Sequence, residues 1–342
     1  MASTFTLKSH SYEGRYMTLE CSQSKDIATN KSEISWKLSS IDGEVNCYTT
    51  TVKATINGVV VCDIFRKEWD TYEFPAVKGS VSGVLKDDKA IEHDAYGNKK
   101  IIVKLDVAIC DGVIRYFSGE WELDNIPRQA EIIDAPNFTD NDNPTITYKN
   151  PAGNSVDDLQ ACISWTGGAD IAYRPINKTG TSNPLSYKFN FTEAEREALR
   201  KAAPNGSRDV TFYVRTVIGA NTFYSTLPKK LTIQETDNTK PSVSMEATLD
   251  NTSLASEFAS KFAGKWIQGK SRAYIKVTAE GKYGAGISII GVQIGKTAYN
   301  YSKSFTSNVI DEVGSVNIVA TAKDTREHER TDTYPISVVE YS

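Results

Sequence analysis

Histidine is scarce in this chain. His10, His93 and His328 are the only three among 342 residues, and each lies in a different region. No histidine stands at metal-ligand spacing from a second histidine or a carboxylate. Cysteine occurs five times, at Cys21, Cys47, Cys62, Cys110 and Cys162, without any Cys-x-x-Cys pair. That pattern is neither a disulfide framework nor a zinc knuckle. Cys21 and Cys110 fall inside apolar alternations, where a thiol acts as a small hydrophobe, so buried, reduced thiols are expected. No run approaches the roughly 18 apolar residues of a membrane span. Met1-Ala2-Ser3-Thr4-Phe5-Thr6 has neither the basic nor the apolar segment of a signal peptide, and none is expected. Basic residues are not in excess, with Lys+Arg 39 against Asp+Glu 43. A net acidic chain without a clustered basic face is not built for nucleic acid.

Catalytic signatures are equally absent. There is no Gly-x-Ser-x-Gly elbow, no phosphate loop and no dinucleotide fingerprint. Gly281 to Gly286 is glycine-rich but follows a strand pattern with no helix after it, and reads as a loop. Asp87-Asp88 and Asp157-Asp158 lack the Asp-x-Asp-x-Asp-Gly frame of a calcium loop and read as solvated turns. The sequence therefore yields no catalytic, cofactor-binding or metal-ligating residue.

What the chain has in abundance is period-2 alternation, the pattern of half-buried strands. Met17, Leu19 and Cys21 share one face, as do Ile34, Trp36 and Leu38. Val52, Ala54 and Ile56 alternate up to Asn57-Gly58, the dipeptide of a type I′ hairpin turn. Val77 to Leu85 reads as a strand broken by Gly79 and Gly83. Ile101 to Ile109 is the longest clean alternation, turned at Cys110-Asp111-Gly112 and returning over Arg115 to Leu123. Many short strands at regular spacing indicate a β-sandwich, jelly-roll-like or immunoglobulin-like.

Proline marks the divisions. Pro127 removes an amide donor and forces Ile126 into extended backbone, so the strand ending at Leu123 cannot continue. Thr236 to Pro241 is a second polar stretch ended by proline. Three modules are expected: 1–128, jelly-roll/lectin-like; 129–238, immunoglobulin-like; and 239–342, immunoglobulin-like. The second is read as a polar loop over Asn137 to Pro144, then strands at Thr145 to Tyr148, Leu159 to Trp165, Tyr187 to Phe191 and Asp209 to Ile218. Thr192 and Glu195 form a capping box opening a short helix, and Leu231 to Ile233 closes the module. The third is read as strands at Val243 to Ala247, Ala273 to Ala279, Ile289 to Ile294, Val309 to Val313, Val316 to Ala322 and Ile336 to Val339. Leu254 to Phe262 is expected to be helical. The last two modules read as diverged copies of one plan, and the fold class is all-β, in serial sandwiches.

One constellation suggests recognition. Trp69-Asp70-Thr71-Tyr72 lies in a charged stretch outside any strand pattern, and the polar turn His93 to Asn98 belongs to the same module. Exposed aromatic rings beside carboxylates can stack on sugar faces and accept hydroxyl hydrogen bonds. Trp69, Asp70, Tyr72, His93 and Asp94 are the candidate ligand-binding residues. The competing reading makes Trp69 a buried end-cap. Trp36, Trp121, Trp165 and Trp266 are expected in cores.

His93-Asp94-Ala95-Tyr96-Gly97-Asn98-Lys99, the long strand after it, and Ser118-Gly119-Glu120-Trp121-Glu122-Leu123-Asp124-Asn125-Ile126-Pro127-Arg128 resemble the N-terminal part of a minor structural protein family from long-tailed phages of Gram-positive bacteria. Gln268-Gly269-Lys270-Ser271 and Ala322-Lys323-Asp324-Thr325-Arg326 resemble its later domains. Tyr96 stands where the family has Asp, which argues against cation ligation by that turn. Glu327 stands where it has Gly, so that hairpin is expected to differ.

The resemblance implies a tail-associated virion component near the host-contacting tip, without enzymatic activity or cofactor, folded in the bacterial cytoplasm and released by lysis. The partners it implies are other tail or virion proteins; cell-wall carbohydrate and further copies of the chain complete the expected set, with no nucleic acid or membrane. Two alternatives stand beside it: a carbohydrate-active enzyme with accessory sandwiches, and a passive spacer.

Overall fold

A computed structural model describes residues 3–11, 16–41, 49–65, 80–109, 113–179, 184–300 and 303–341. Trp69, Asp70, Tyr72, Cys47 and Cys110 lie outside the described residues, as do the Cys110 to Gly112 turn and the Val77 to Gly79 end of one expected strand.

The first module contains β1 (Thr4–Lys8), β2 (Tyr16–Asp26), β3 (Lys31–Ile41), β4 (Thr49–Ile56), β5 (Val59–Phe65), β6 (Ser80–Leu85), β7 (Ile91–Glu92), β8 (Lys99–Ile109) and β9 (Arg115–Leu123). One sheet runs β1-β2-β3-β6, with β7 also on β3, and the other β5-β4-β8-β9. The inward residues are those the alternation singled out: Met17, Leu19, Cys21, Ile34, Trp36, Leu38, Val52, Ala54, Ile56, Ile101, Val103, Leu105 and Val107 make one core. Asn57 and Gly58 take φ of 50° and 81°, the two positive values of a type I′ turn. Gly83 does not break β6. It lies opposite Trp36, and a Cβ there would meet the indole at 2.8 Å, so the glycine makes room for the ring. Successive strands form hairpins within a sheet, as in β2–β3, β4–β5 and β8–β9. A jelly roll sends most successive strands to opposite sheets, so the module is a two-sheet sandwich of simpler connectivity. The period-2 pattern sets faces, not strand order, which is why the sequence could not separate the two.

The second module contains β10 (Glu131–Asp134), β11 (Phe138–Thr139), β12 (Thr145–Lys149), β13 (Asp158–Ser164), β14 (Ile171–Pro175), β15 (Leu185–Lys188), α1 (Glu193–Ala202), β16 (Ser207–Ile218) and β17 (Asn221–Thr232). Its sheets run β10-β12-β15 and β11-β17-β16-β13-β14. The polar stretch expected to be loop contains β11, parallel to the end of β17, because Phe138 is 4% exposed and anchors it in the core. The closing strand is continuous through Pro228, which faces Thr211. β11 covers β17 only at Leu231 and Thr232, so the proline sits beside an open edge. Helix α1 starts as its sequence requires: Thr192 accepts from the amide of Glu195, whose carboxylate accepts from the amide of Thr192.

The third module repeats the plan with β18 (Ser242–Asp250), α2 (Ser256–Ala259), β19 (Trp266–Ile267), β20 (Arg272–Glu280), β21 (Ile287–Ile294), β22 (Thr297–Asn300), β23 (Ser304–Thr306), β24 (Gly314–Asp324) and β25 (Glu329–Val339). Its sheets run β18-β20-β23 and β19-β25-β24-β21-β22. β19 is parallel to β25, as β11 is to β17. Two expectations fail here. The helix is confined to Ser256–Ala259; Phe258 within it and Phe262 in the turn after it lean on Tyr341 rather than on a core. Val309 to Val313 forms no strand; Val309 and Val313 are exposed and Ile310 alone is buried. Ile310 is held by its amide to the carbonyl of Ser271 and by its carbonyl to the amide of Gly269. The helices also sit differently, α1 between β15 and β16 and α2 between β18 and β19.

Three hydrophobic clusters result, with buried members spanning 17–123, 130–233 and 273–338. The stretches between them are fastened. Ile126 is fully buried, and Ile27 of the β2–β3 turn packs on the second module's core. Thr239 is also fully buried, its hydroxyl donating to the carbonyl of Gln234 at 2.7 Å.

Candidate functional site

His93 and Asp94 lie in the turn between β7 and β8. A hollow of about 730 Å³ opens beside them, lined by Glu92, His93, Asp94, Asn98, Lys99, Lys100, Glu122 and Leu123. The β8–β9 ladder builds one wall, since Lys99 faces Leu123 and Lys100 faces Glu122 across it.

His93 works inward. It is 8% exposed. Its Nδ1 is 2.8 Å from the carbonyl of Gly97 and its Nε2 is 2.8 Å from Ser32 Oγ. A carbonyl only accepts, so Nδ1 carries the proton and Nε2 accepts from the serine hydroxyl. Ser32 Oγ in turn accepts from Gln23 Nε2 at 2.8 Å. Gln23 Oε1 takes the amide of Asp124 at 2.7 Å. Burial pushes the His93 pKa below the ordinary imidazole value; the Gly97 carbonyl opposes this, and Lys99 adds to it. The ring is a neutral structural element.

Asp94 shapes the turn. Its Oδ1 accepts from the amides of Tyr96 at 2.9 Å and Asn98 at 2.8 Å. Asn30 Nδ2 donates to the carbonyls of His93 and Asp94, each at 3.0 Å. Asn125 Nδ2 donates to the carbonyl of Tyr96 and to Asn98 Oδ1, each at 2.9 Å. The turn is thus rigid and polar. Around it, Glu92 pairs with Lys31 at 3.1 Å and stays largely exposed, and Tyr96 is 55% exposed.

The structure therefore brings His93 and Asp94 to one hollow, and their hydrogen bonds to backbone and Ser32 are internal. Glu92, Lys99, Lys100 and Glu122 were not singled out as site residues by sequence reasoning; for Lys100 and Glu122 the signal was the outward phase of the β8 and β9 alternation, whereas Lys99 continues the inward phase at the start of β8 and Glu92 belongs to β7. Tyr96, noted only as a departure from the family pattern, is the exposed aromatic in the described part of this region. Trp36 and Trp121 are buried, whereas Trp165 and Trp266 are partly buried against their cores. Trp121 Nε1 donates to Ser3 Oγ at 3.0 Å, and its ring stacks on Phe5.

Among the described residues, no three His, Cys, Asp or Glu side chains come together as a metal site, and no helix is long and apolar enough to cross a membrane. Chemically, the hollow presents carboxylates, amines and an amide.

No family model and no curated protein matches the chain. Solved structures resemble it distantly. Fibronectin(III)-like modules of Clostridium thermocellum CbhA share 12% identity, with 62% of this chain and 95% of that one covered and a TM-score of 0.24. A structure concerning host cell surface retention of a 1.5-MDa bacterial ice-binding adhesin shares 15%, covering 92% and 93%, with a TM-score of 0.30. Chicken CNTN1 FN1-FN3 domains share 10%, covering 89% and 94%, with a TM-score of 0.26. The fold, serial all-β sandwich modules, is read from the chain's own sheets.

Proposed function

We propose that this chain is a tail-associated virion structural protein of a long-tailed phage of Gram-positive bacteria, placed at the tail tip or fibre and contributing to attachment to host-surface carbohydrate. The observation that carries the reading is the motif resemblance, whose first segment coincides with a built turn. His93 to Lys99 and Asp124 to Ile126, quoted for the resemblance, are the two segments that the Gln23–Ser32–His93 chain and Asn125 tie together. Serial sandwiches with fastened junctions suit an extended structural part and its assembly with other tail proteins or further copies. The protein is not an enzyme in this reading, needs no cofactor, and folds in the bacterial cytoplasm before leaving within the particle.

Recognition would fall to the first module, through Trp69, Tyr72 and Tyr96 as stacking surfaces and Asp70 and the hollow's carboxylates as acceptors. Each stacking contact contributes about 1 kcal/mol, so single sites are weak and many copies supply avidity. Multivalent display of the full chain on purified host cell walls tests this. Wild-type protein is expected to bind, and Trp69→Ala or Tyr96→Ala, checked for fold, to weaken the monovalent step about fivefold. No wall binding by the displayed wild type would leave assembly as the function.

A further inference from the structure

The second and third modules meet through charged groups that are fully buried. In α1, Arg200 is 3% exposed and its Nε donates to Asp140 Oδ2 at 2.8 Å, with Asp140 at 0%. The Arg200 guanidinium lies 5.4 Å from the centre of the Tyr283 ring, which belongs to the third module. From the β24–β25 turn, Arg326 reaches back into the second module with its side chain at 0% exposure. Its Nε donates to the carbonyl of Ala203 at 3.3 Å and its Nη2 to that of Arg200 at 3.2 Å. On its own side it donates to the carbonyls of Lys282 at 2.9 Å and Tyr283 at 3.1 Å. Asp324 Oδ2, buried and without a hydrogen-bond donor, has Arg326 Nη1 3.7 Å away as its charge partner.

The carbonyls of the last helical turn have no partner within a helix, and that end of the helix dipole favours a cation. α1 has no glycine C′ residue in left-handed conformation directly after it; Ala203 takes φ −122°. Its own module covers part of the helix end, with Arg208 Nη1 donating to the carbonyl of Ala202 at 3.0 Å and the amide of Gly206 to that of Ala203 at 3.1 Å. From the next module, Arg326 supplies the donor to the carbonyl of Arg200 and a second donor to that of Ala203, and Thr325 Oγ1 adds a bond to the carbonyl of Pro204 at 2.9 Å. Lys282 and Arg330 also donate to the carbonyl of Asp237 between the modules.

We infer that Arg326 caps helix α1 across the junction and thereby fuses the second and third modules into one rigid unit that opens cooperatively. The polar stretch Thr236 to Pro241, which reads as a linker in sequence, is then not a hinge.

Hydrogen exchange of the full chain along a urea titration, read by mass spectrometry of peptides, tests this. In the wild type, peptides from β16–β17 and from β24–β25 should lose protection at one shared midpoint. In Arg326→Ala the midpoints should separate, and peptides covering Leu199 to Ala203 should exchange about tenfold faster in the absence of urea. Arg326→Lys, which keeps the charge and loses the fork, should fall between. Thr325→Val, which removes one neutral bond, serves if Arg326→Ala does not fold, and should accelerate the same peptides without moving those of β8–β9. Separate midpoints in the wild type, or unchanged α1 exchange in all the variants, would overturn the inference.

Discussion

The amide of Ile126 donates to the carbonyl of Gly97 at 2.9 Å. Through that bond, the turn carrying His93 and Asp94 and the stretch leaving the first module form a single hydrogen-bonded piece. Gly97 also has φ of 81°, and a Cβ there would lie 1.8 Å from the carbonyl oxygen of Ile126.

Gly97→Ala should therefore be far more damaging than Gly58→Ala. Gly58 has the same φ of 81° but open space around it, so its substitution costs only the left-handed penalty of about 1–2 kcal/mol. Gly97→Ala adds a clash with backbone that cannot rotate away. Urea unfolding followed by Trp36 and Trp121 fluorescence should place Gly97→Ala below Gly58→Ala by at least about 1 kcal/mol. Equal midpoints would show that the turn can move freely from the junction.

His93 predicts a pH dependence. Its folded pKa is depressed by burial, so the unfolded chain takes up the proton more readily. The sign follows: the contribution to stability is fully present above the unfolded value of about 6.5 and is lost as pH falls below it. The first module should melt earlier at pH 5 than at pH 7.5, and His93→Gln should flatten that difference. A variant as pH-sensitive as the wild type would assign the effect elsewhere.

The Asp140–Arg200 pair is buried on both sides, and removing Arg200 leaves the buried Asp140 carboxylate with the amide of Gln234 but without its ion-pair partner. Arg200→Ala should destabilise the second module by about 3–5 kcal/mol, measured by denaturant midpoint. Arg200→Met paired with Asp140→Asn should recover a large part of the loss. A loss under about 1 kcal/mol, the scale of an exposed pair, would mean that water reaches the pair.

Glu327 sits at φ 71°, where glycine is unstrained, and its carboxylate pairs with Lys323. The β24–β25 hairpin turns through a left-handed residue at this position. Glu327→Gly should raise the third module's stability by up to about 1 kcal/mol, the relieved strain exceeding a surface ion pair. A thermal shift downward would contradict this.

Cys21, Cys62 and Cys162 are buried free thiols, and burial pushes the Cys21 thiol up to about 12. Thiolate is the reactive form, so native protein at pH 8 should leave these three unalkylated while denatured protein takes up reagent at all of them. Intact mass resolves the two cases.

Legibility in the sequence tracked burial on one face. β2, β3, β8, β16 and β24 were readable because inward positions such as Leu19, Leu105 and Phe212 recur at period 2. β1, β10 and β14 were not, since their patterns are short and half exposed. Val309 to Val313 looked like a strand because apolar residues can also hold a loop down, as Ile310 does. At the candidate site, Asp94 in its turn was legible as turn chemistry. The hollow needed the β8–β9 register, and the inward use of His93 needed Gln23 and Ser32, which are distant in sequence.

The central claim is that this chain is a structural part of a phage tail, and imaging the particle tests it most directly. Electron cryo-microscopy of the long-tailed particle whose genome encodes the chain should show serial two-sheet sandwiches at the tail tip or fibre, with the first module facing outward. A fully resolved tail without such density, together with absence of the chain from purified particles by mass spectrometry, would contradict the account.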